Sequence, residues 1–483
     1  MNPVYTLSLF YLVAHGLILA LGNAIYWDDW LIFTYPKEFL IDHFIQAGSP
    51  YGYGGFLHIL MSSIGFWSYK VATFLCFLVS GIYLYKILIR DFDFNINIVF
   101  WICALYLVAP LNIARVASID YPYALSVMLF MIGWWYISIS RPLAIFLFIL
   151  AFNTQSLLMF YALPIYSLYM KERFKFQLYE FFFKNYDLIF LPFVWFALKN
   201  VFFKPYGLFE GYNESFSFDN IITSINLQYL DFKTYWSYII SVSMFESHGI
   251  TWFFLFLSTT YLFSKFLAFR GFQISSHQVL LLLSIGLASF FLGVFPYWIT
   301  SHVPTFAEWS SRHQILMPFG LAFIFVGIAG LFNTRFQLLF FSALISLAIT
   351  LNILNYRDLY LDNEKQNKII NSLSVSRVAK DSEVLIFDDN TQNAIGREFR
   401  IYEWTGMISK AFPNDYSRVG VSSNRQLDRF LAGKYDQWFK DMYASHKFQR
   451  SSKNRFALVS INYTGFKNNV LSVDINPAKV SSN

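Results

Sequence analysis

The sequence predicts a polytopic α-helical membrane protein with a soluble C-terminal domain. Hydrophobic residues make up 56% of the 483-residue chain, and charged residues only 14%. Apolar runs of about 18 residues or more, long enough to cross a bilayer as a helix, recur along most of the chain. Beyond Tyr356 these runs stop, and short apolar segments typical of strands appear instead.

The first elements place an acidic segment at the end of an apolar run. A span predicted over residues 7–25 ends just before Asp28 and Asp29, and a loop is predicted over residues 26–54. The next span, residues 67–89, ends in basic residues. Because lysine and arginine collect on the cytoplasmic side of membrane proteins, the acidic loop is predicted to lie outside.

Further apolar runs bring the predicted total to about eleven spans. Both ends of the segment 142–170 are basic, which predicts a re-entrant hairpin entered and left from the cytoplasm. Two more outer loops are predicted over residues 204–233 and 296–312. A last span, residues 338–354, would carry the chain outside, so the transmembrane domain is predicted to comprise residues 1–355.

Residues 356–483 are predicted to form a soluble extracytoplasmic α/β domain. Residues 383–387 and 455–462 have the composition of strands, and residues 470–475 can pair with the second of them. Residues 424–440 have a helical pattern. The domain is expected to pack on the outer face of the membrane.

Charge and cysteine content exclude other classes of protein. A net charge of +6 would suggest nucleic-acid binding in a soluble chain. Here the cations lie in short loops on one side, as membrane topology requires, so no nucleic-acid partner is expected. Cys76 and Cys103 both lie inside apolar runs and are predicted to be core residues rather than a disulfide or a metal site.

Ionisable residues concentrate at the predicted outer ends of the spans. Carboxylates near lipid are costly, so the pair Asp28 and Asp29 indicates a functional site. A carrier would place charges at the bilayer midplane, where alternating access exposes them to both sides. Charge confined to one lipid-water boundary favours an enzyme whose substrate is half lipid and half polar head group.

The chain resembles the GT-C glycosyltransferases, a superfamily that uses lipid-phosphate-linked sugars as donors. The shared features are the pair in Trp27-Asp28-Asp29-Trp30, about eleven spans, the hairpin and an outer C-terminal domain. Length and layout are most similar to bacterial proteins that modify O-antigen of lipopolysaccharide or other surface glycans, including serotype-converting glucosyltransferases. The resemblance covers the whole chain in architecture, whereas its only compact motif is two residues long.

The resemblance implies an inverting hexosyltransferase, multi-pass in the bacterial plasma (inner) membrane, with its site on the periplasmic side. It would move a sugar, expected to be glucose, from a polyprenyl-phosphate donor to O-antigen or another cell-surface glycan. The implied partners are this donor, the glycan acceptor, the bilayer, and an upstream donor synthase and flippase. No cofactor is required, although a divalent metal is compatible with the site.

Two alternatives remain open. An O-antigen polymerase would rely on arginine-rich outer loops, whereas the outer loops here are acidic. A transporter or flippase for lipid-linked glycans would carry charged residues in midspan and would lack a dedicated outer domain.

The acidic pair is predicted to supply the catalytic base. Attack of an acceptor hydroxyl on an anomeric carbon needs a carboxylate that takes the hydroxyl proton. By analogy with the superfamily, Asp28 or Asp29 is this base, and the sequence does not rank them. The alternative interpretation is that the pair only ends a helix in water.

The departing lipid phosphate gathers negative charge and needs preorganised cations. Arg312 and His313, where a span begins on the outer side, fit this role best. The alternative for Arg312 is an interfacial anchor. Arg115 is a second candidate unless it pairs with Asp120, and Lys204 is a weaker third.

Other residues are predicted to bind the sugar or the acceptor, because aromatic faces and carboxylates both suit carbohydrate hydroxyls; they are Asp120, Tyr121, Trp27, Trp30 and Glu308. An aromatic belt at the interface is the alternative for the aromatic members. Glu246 and His248 are weak metal candidates, since Glu-x-His alone is not a specific ligand pattern.

Overall fold

The fold is known from a computed structural model of the chain. The structure describes all residues except 1, 35, 93, 173–177, 212–216, 241–243, 267–271, 307, 392–396, 414–416, 424, 436–454, 464–470 and 479–483.

The described part of the chain is mostly helical. The helices of the first half are α1 (Pro3–His15), α2 (Asp29–Thr34), α3 (Lys37–Gln46), α4 (Tyr53–Ile64), α5 (Trp67–Asp91), α6 (Ile96–Val108), α7 (Tyr121–Tyr136), α8 (Arg141–Ala151), α9 (Ser156–Phe160), α10 (Ala162–Glu172), α11 (Leu178–Lys184), α12 (Tyr186–Phe202) and α13 (Phe218–Tyr238). Those of the second half are α14 (Met244–Glu246), α15 (Gly249–Phe266), α16 (Ser276–Ile299), α17 (Met317–Ala329), α18 (Thr334–Val375), α19 (Arg377–Asp381), α20 (Ile401–Ala411) and α21 (Arg425–Leu431). The strands are β1 (Val384–Asp389), β2 (Val419–Ser422), β3 (Phe456–Tyr463) and β4 (Leu471–Ala478).

Several of these helices are suited to a membrane. Within the described residues, 4 segments are long and apolar enough to cross one: Pro3–Leu21, Trp67–Asp91, Ser276–Ile299 and Thr334–Val375. The pair α11 and α12, bent by 61°, brings the number to 5 if it forms one span. These apolar helices indicate association with a membrane.

The predicted count of about eleven spans is not confirmed. Two predicted spans form short helices, since α6 and α17 have 13 residues each. The segment predicted as a hairpin, 142–170, contains the short helices α8, α9 and α10. A 13-residue helix is only about 20 Å long, against a hydrocarbon core of about 30 Å. An apolar run shows that a segment is hydrophobic, but it does not show where a helix within that segment ends.

Two predicted outer loops contain helices instead. The segment 26–54 holds α2, α3 and the start of α4, and the segment 204–233 holds most of α13. Polar side chains of α13 find partners on the end of α16: the Ser224 hydroxyl donates to the Trp298 carbonyl (3.1 Å), and the Trp298 indole donates to Gln228 (2.8 Å). The third predicted loop, 296–312, begins inside α16 and ends inside a 3₁₀ helix, Trp309–Gln314.

The C-terminal domain is built on a four-stranded sheet of order β2-β1-β3-β4. β1 pairs in parallel with β2 and β3, and β3 pairs antiparallel with β4. The strands predicted over residues 383–387, 455–462 and 470–475 are confirmed, including the pairing of the last two. The predicted helix over 424–440 is confirmed only in part: α21 covers Arg425–Leu431, residues 432–435 form a turn, and residues 424 and 436–440 lie outside the described residues.

Helix α18 links the apolar helices to the sheet domain. It has 42 residues and runs without interruption through the predicted boundary at residue 355. Its first part packs in the core of the apolar helices, through residues such as Phe341 and Ile345, and its last part, through Ile369 and Leu373, packs in the core of the sheet domain. The two cores therefore share one helix.

Candidate functional site

The segment that carries Asp28 and Asp29 lies where the apolar helices meet the C-terminal domain. The Tyr26 hydroxyl donates to the carbonyl of Leu359 in α18 (2.9 Å), and the Trp27 backbone N–H donates to Glu403 in α20 (3.1 Å). Trp30 is fully buried in the core of the C-terminal domain. Partners on both sides therefore fix this junction segment, residues 26–30.

Asp29 is the buried member of the pair. Its carboxylate accepts hydrogen bonds from the backbone N–H groups of Ile119 (2.8 Å) and Tyr26 (3.3 Å), and lies 3.8 Å from the ammonium of Lys70. Lys70 also donates to the Val116 carbonyl. Burial raises the pKa of Asp29, and Lys70 and the N–H donors oppose that shift. Asp29 thus anchors the junction segment to the apolar helices.

Asp28 is the accessible member of the pair. Its side chain is 23% exposed and accepts a hydrogen bond from the phenol of Tyr402. The guanidinium of Arg400 lies 4.0 Å from the same carboxylate oxygen. Both partners come from the start of α20, so the C-terminal domain holds the exposed carboxylate.

A network of buried charged side chains packs against the junction segment. Arg397 donates to Glu403 (2.6 Å) and to Asp362 of α18 (3.0 Å). Glu403 also accepts from the Arg400 backbone N–H (2.9 Å), which satisfies a donor at the start of α20. Buried charges of this kind are tolerated because each has an opposite partner. The network therefore fixes α20 to α18 and, through the N–H of Trp27, to the acidic pair.

Aromatic and cationic side chains stack across the same junction. The Arg397 guanidinium lies 5.1 Å from the ring of Trp27, and the rings of Trp27 and Trp309 lie 5.8 Å apart. The Arg312 guanidinium lies 4.0 Å from the ring of Trp309. Cation–π contacts add to stability when they are desolvated. This alternating stack places Arg312 on the same junction as Asp28.

Arg312 and Asp120 line one narrow cavity together with Asn112 and Arg115. Asp120 is 6% exposed, and its Oδ2 atom has no hydrogen-bond partner among the described residues. Burial raises the pKa of Asp120, while the charge of Arg312 opposes that shift. The structure thus brings together three of the sequence-predicted residues, Arg312 and Arg115 for the phosphate and Asp120 for the sugar.

Arg115 uses its donors inside the protein. It donates to the carbonyls of Leu111 (2.6 Å) and Asn112 (3.0 Å), and its Nη1 atom lies 3.3 Å from a ring nitrogen of His15. No ion pair between Arg115 and Asp120 is recorded in the part of the chain that the structure describes. The proposed contact of Arg115 with phosphate stays a prediction.

The surroundings of His313 disfavour its charged form. Its ring stacks on Tyr297 at 4.7 Å and accepts a hydrogen bond from Arg312 (3.2 Å). Burial and the charge of Arg312 both lower the pKa of His313, so a hydrogen-bonding role suits it better than a charged one. The Tyr297 hydroxyl donates to Ser156 (3.1 Å), which brings the tip of the predicted hairpin to this cluster.

The remaining predicted residues lie apart from these contacts or take other roles. Tyr121 begins α7 with its ring 6.0 Å from that of Tyr69. Glu308 is exposed, has a positive φ (60°) and interacts with the charges of Arg397 and Arg400 at the junction. Lys204 is exposed. His248 is exposed, and the side chain of its predicted metal partner Glu246 lies outside the described residues. A search of the described residues finds no group of three or more metal-ligating side chains.

Sequence reasoning missed the residues that hold the pair, namely Lys70, Arg397, Arg400, Tyr402 and Glu403. Lys70 carries a signal, because it is a lone cation near the start of an apolar helix. The α20 residues carry none, since nothing in a single sequence shows that a segment about 370 positions away packs on residues 26–30.

Comparison with family models, curated proteins and solved structures finds no match for this chain. Its function is therefore inferred from the residues of the junction.

Proposed function

We propose that the chain is a glycosyltransferase of the bacterial inner membrane that moves a sugar from a polyprenyl phosphate to a surface glycan, with its site on the periplasmic side. The observation that carries the proposal is the position of Asp28. It is a partly exposed carboxylate between apolar helices, which suit a lipid tail, and an α/β domain, which suits a glycan.

The junction contains the groups that the reaction needs. The acceptor hydroxyl attacks the anomeric carbon and passes its proton to Asp28, while the bond from that carbon to the phosphate oxygen breaks and its electrons leave with the lipid phosphate. Arg312, beside the cavity that Asp120 lines, is suited to stabilise the phosphate charge. Asp28 is preferred over Asp29 as the base, because Asp29 is fully buried and engaged by three partners.

The finer assignments come from the resemblance to GT-C enzymes. Glucose as the sugar, O-antigen as the acceptor and inversion at the anomeric carbon all follow from that likeness. A single displacement with one base is consistent with inversion. A product that retains the donor configuration would contradict this part of the proposal.

One observation favours a second candidate, an O-antigen polymerase. Arg312, Arg397 and Arg400 all lie at the junction, and a polymerase would use arginines to hold two lipid-linked glycans. Arg397 is buried by its partners, however, which leaves fewer arginines accessible to such glycans.

The first test is transfer by the purified full-length protein in detergent. Polyprenyl-phosphate sugars are supplied one at a time with a glycan acceptor, and release of free lipid phosphate is followed by mass spectrometry. We expect turnover with one donor. The Asp28→Asn variant should keep its fold and lose turnover by about 10²-fold or more, the range of a general base.

The Asp29→Asn variant is the matched control for position and chemistry. Its main effect should be on stability, because it weakens a buried ion pair and not the exposed base. Full activity of Asp28→Asn would remove Asp28 as the base, and full activity of both variants would remove the acidic pair from the mechanism. If a lipid-linked glycan is lengthened but no polyprenyl-phosphate sugar is consumed, the polymerase is favoured instead.

A further inference from the structure

The phenol of Tyr402 is the closest side-chain partner of Asp28. It donates to Oδ1 of Asp28, and Arg400 donates to the same phenol oxygen at 3.0 Å. Tyr402 is 7% exposed, whereas Asp28 is more open to solvent. The three side chains form a short chain of hydrogen bonds that runs from the C-terminal domain to the proposed base.

We propose that Tyr402, held by Arg400, is a positioning residue that orients Asp28 and stabilises its ionised form, so that the C-terminal domain completes the catalytic site. This inference rests on the proposed function, since it assigns a role to Asp28 as the base. It gives the domain a part in the chemistry, beyond holding an acceptor.

The chemistry of the contact supports this role. A hydrogen bond donated to a carboxylate favours its charged form, which is the form that accepts a proton. Burial, followed by the negative charge of Asp28, raises the pKa of Tyr402 well above its usual value. The phenol therefore keeps its proton and acts as a donor throughout the range in which a carboxylate titrates.

The position of Tyr402 is fixed by the rest of α20. The next residue, Glu403, binds the N–H of Trp27. Trp404 stacks on Phe387 of β1 with ring centroids 4.2 Å apart. Because the Tyr402 hydroxyl is already held in place, it need not move when the acceptor glycan binds. Preorganised catalysis requires groups that are positioned in this way.

Other titratable groups also face Asp28. They are His43 of α3, Asp120 before α7, and Arg400 and Tyr402 at the start of α20, while Asp29 is the neighbour of Asp28 in sequence. Burial lowers the pKa of His43, and the charge of Asp28 opposes that shift. His43 is therefore the neighbour whose titration is most easily confused with that of Asp28, and it requires its own control.

The test is the pH dependence of kcat/KM for wild type, Tyr402→Phe, Tyr11→Phe and His43→Gln. Tyr11 is the matched control because its phenol donates to a backbone carbonyl, that of Phe74 (3.0 Å), outside the junction segment. We expect the acid limb of Tyr402→Phe to move to higher pH by about one unit and kcat/KM to fall about tenfold, because the ionised base has lost its donor. The acid limbs of Tyr11→Phe and of His43→Gln should stay where the wild-type limb lies.

The two proposals fail in different ways. An unmoved acid limb in folded Tyr402→Phe, beside a wild type that turns over, would overturn the positioning role alone. A limb that moves equally in Tyr11→Phe would also overturn it, because the effect would then be structural. Absence of turnover by the wild type with every donor would overturn the proposed function and this inference together.

Discussion

Asp28 and Asp29 are neighbours in sequence with opposite surroundings. Asp29 opens α2 and turns toward the apolar helices, where Lys70 and two N–H groups satisfy it. Asp28 turns toward the C-terminal domain and stays partly open. A tandem pair at this position therefore combines one carboxylate that fixes the backbone with one that stays partly exposed beside Tyr402.

The ion pair between Asp29 and Lys70 should be strongly coupled. Both side chains are almost fully buried, 0% and 1% exposed, so removal of one partner leaves the other charge without compensation. We expect Lys70→Met and Asp29→Asn each to cost about 3–5 kcal/mol of stability, and the double variant to cost clearly less than the two together. Thermal unfolding in detergent measures all three variants.

The control for Lys70→Met and Asp29→Asn is a substitution of Arg357, which pairs with Asp358 in a partly exposed position. Exposed pairs contribute little, so Arg357→Met should change stability by less than about 1 kcal/mol. Additive effects of Lys70→Met and Asp29→Asn would mean that the two side chains do not form a coupled pair.

For individual residues, the sequence indicated which side chains have unusual chemistry, but not which side chains they contact. The acidic pair could be singled out because carboxylates at the end of an apolar run are unusual. The different roles of Asp28 and Asp29 could not be predicted, because they depend on contacts with Ile119 and Tyr402, which lie far along the chain.

Among the elements, α20 makes the contact that shapes the junction. Glu403 and Gly406 lie three residues apart and so share a face of the helix, with Tyr402 beside them. Gly406 lets the backbone of α20 approach Trp30 closely: a Cβ atom there would lie 2.6 Å from the indole ring. The fully buried Trp30 has no room to move away.

This contact predicts an unusual effect of Gly406→Ala. In a free helix the substitution would be stabilising, by about 1 kcal/mol, because alanine favours helix. Here we expect it to destabilise the protein by about 1–3 kcal/mol, since the new methyl group collides with a rigid ring. Thermal unfolding and the transfer assay should both report the change.

Ser409→Ala serves as the comparison on the same helix, because its hydroxyl only donates to the Thr405 carbonyl one turn back. It should leave α20 in place and retain transfer. Stabilisation by Gly406→Ala would show that α20 and Trp30 are not in tight contact.

The elements that the sequence predicted are those with a strong local pattern. β1, β3 and β4 are apolar and β-branched, and α5 and α16 are long apolar runs. β2 and α20 were missed because β2 has only four residues and α20 follows Arg400, which is not a usual capping residue. The short lengths of α6 and α17 were not predicted because both lie within longer apolar runs, whereas α8 ends just before the polar residues 153–156, inside the segment predicted as a hairpin.

For the whole molecule, orientation in the membrane is the main prediction. The proposed function requires the C-terminal domain and the turn before α8 to lie on opposite sides. Ser374 and Ser138 are exposed at these two places. The native Cys76 and Cys103 are buried, so single cysteines can be introduced without removing them.

We expect Ser374→Cys to react with a membrane-impermeant maleimide in intact spheroplasts, and Ser138→Cys to react only after lysis. Labelling is read by the mass of the modified protein. Reaction of Ser138→Cys in intact spheroplasts, with Ser374→Cys protected, would invert the topology and place the junction in the cytoplasm.

The length of helix α18 also sets the distance between its first residue and the junction. From its start at Thr334 to Asp362, which binds Arg397 under the junction, the helix rises about 42 Å if it stands upright, close to the full thickness of a bilayer with its head groups. The junction is then held at the height of lipid phosphates. One extra turn in α18 would lift it by about 5.4 Å, so the length of this helix would decide which linkage between lipid and sugar comes within reach.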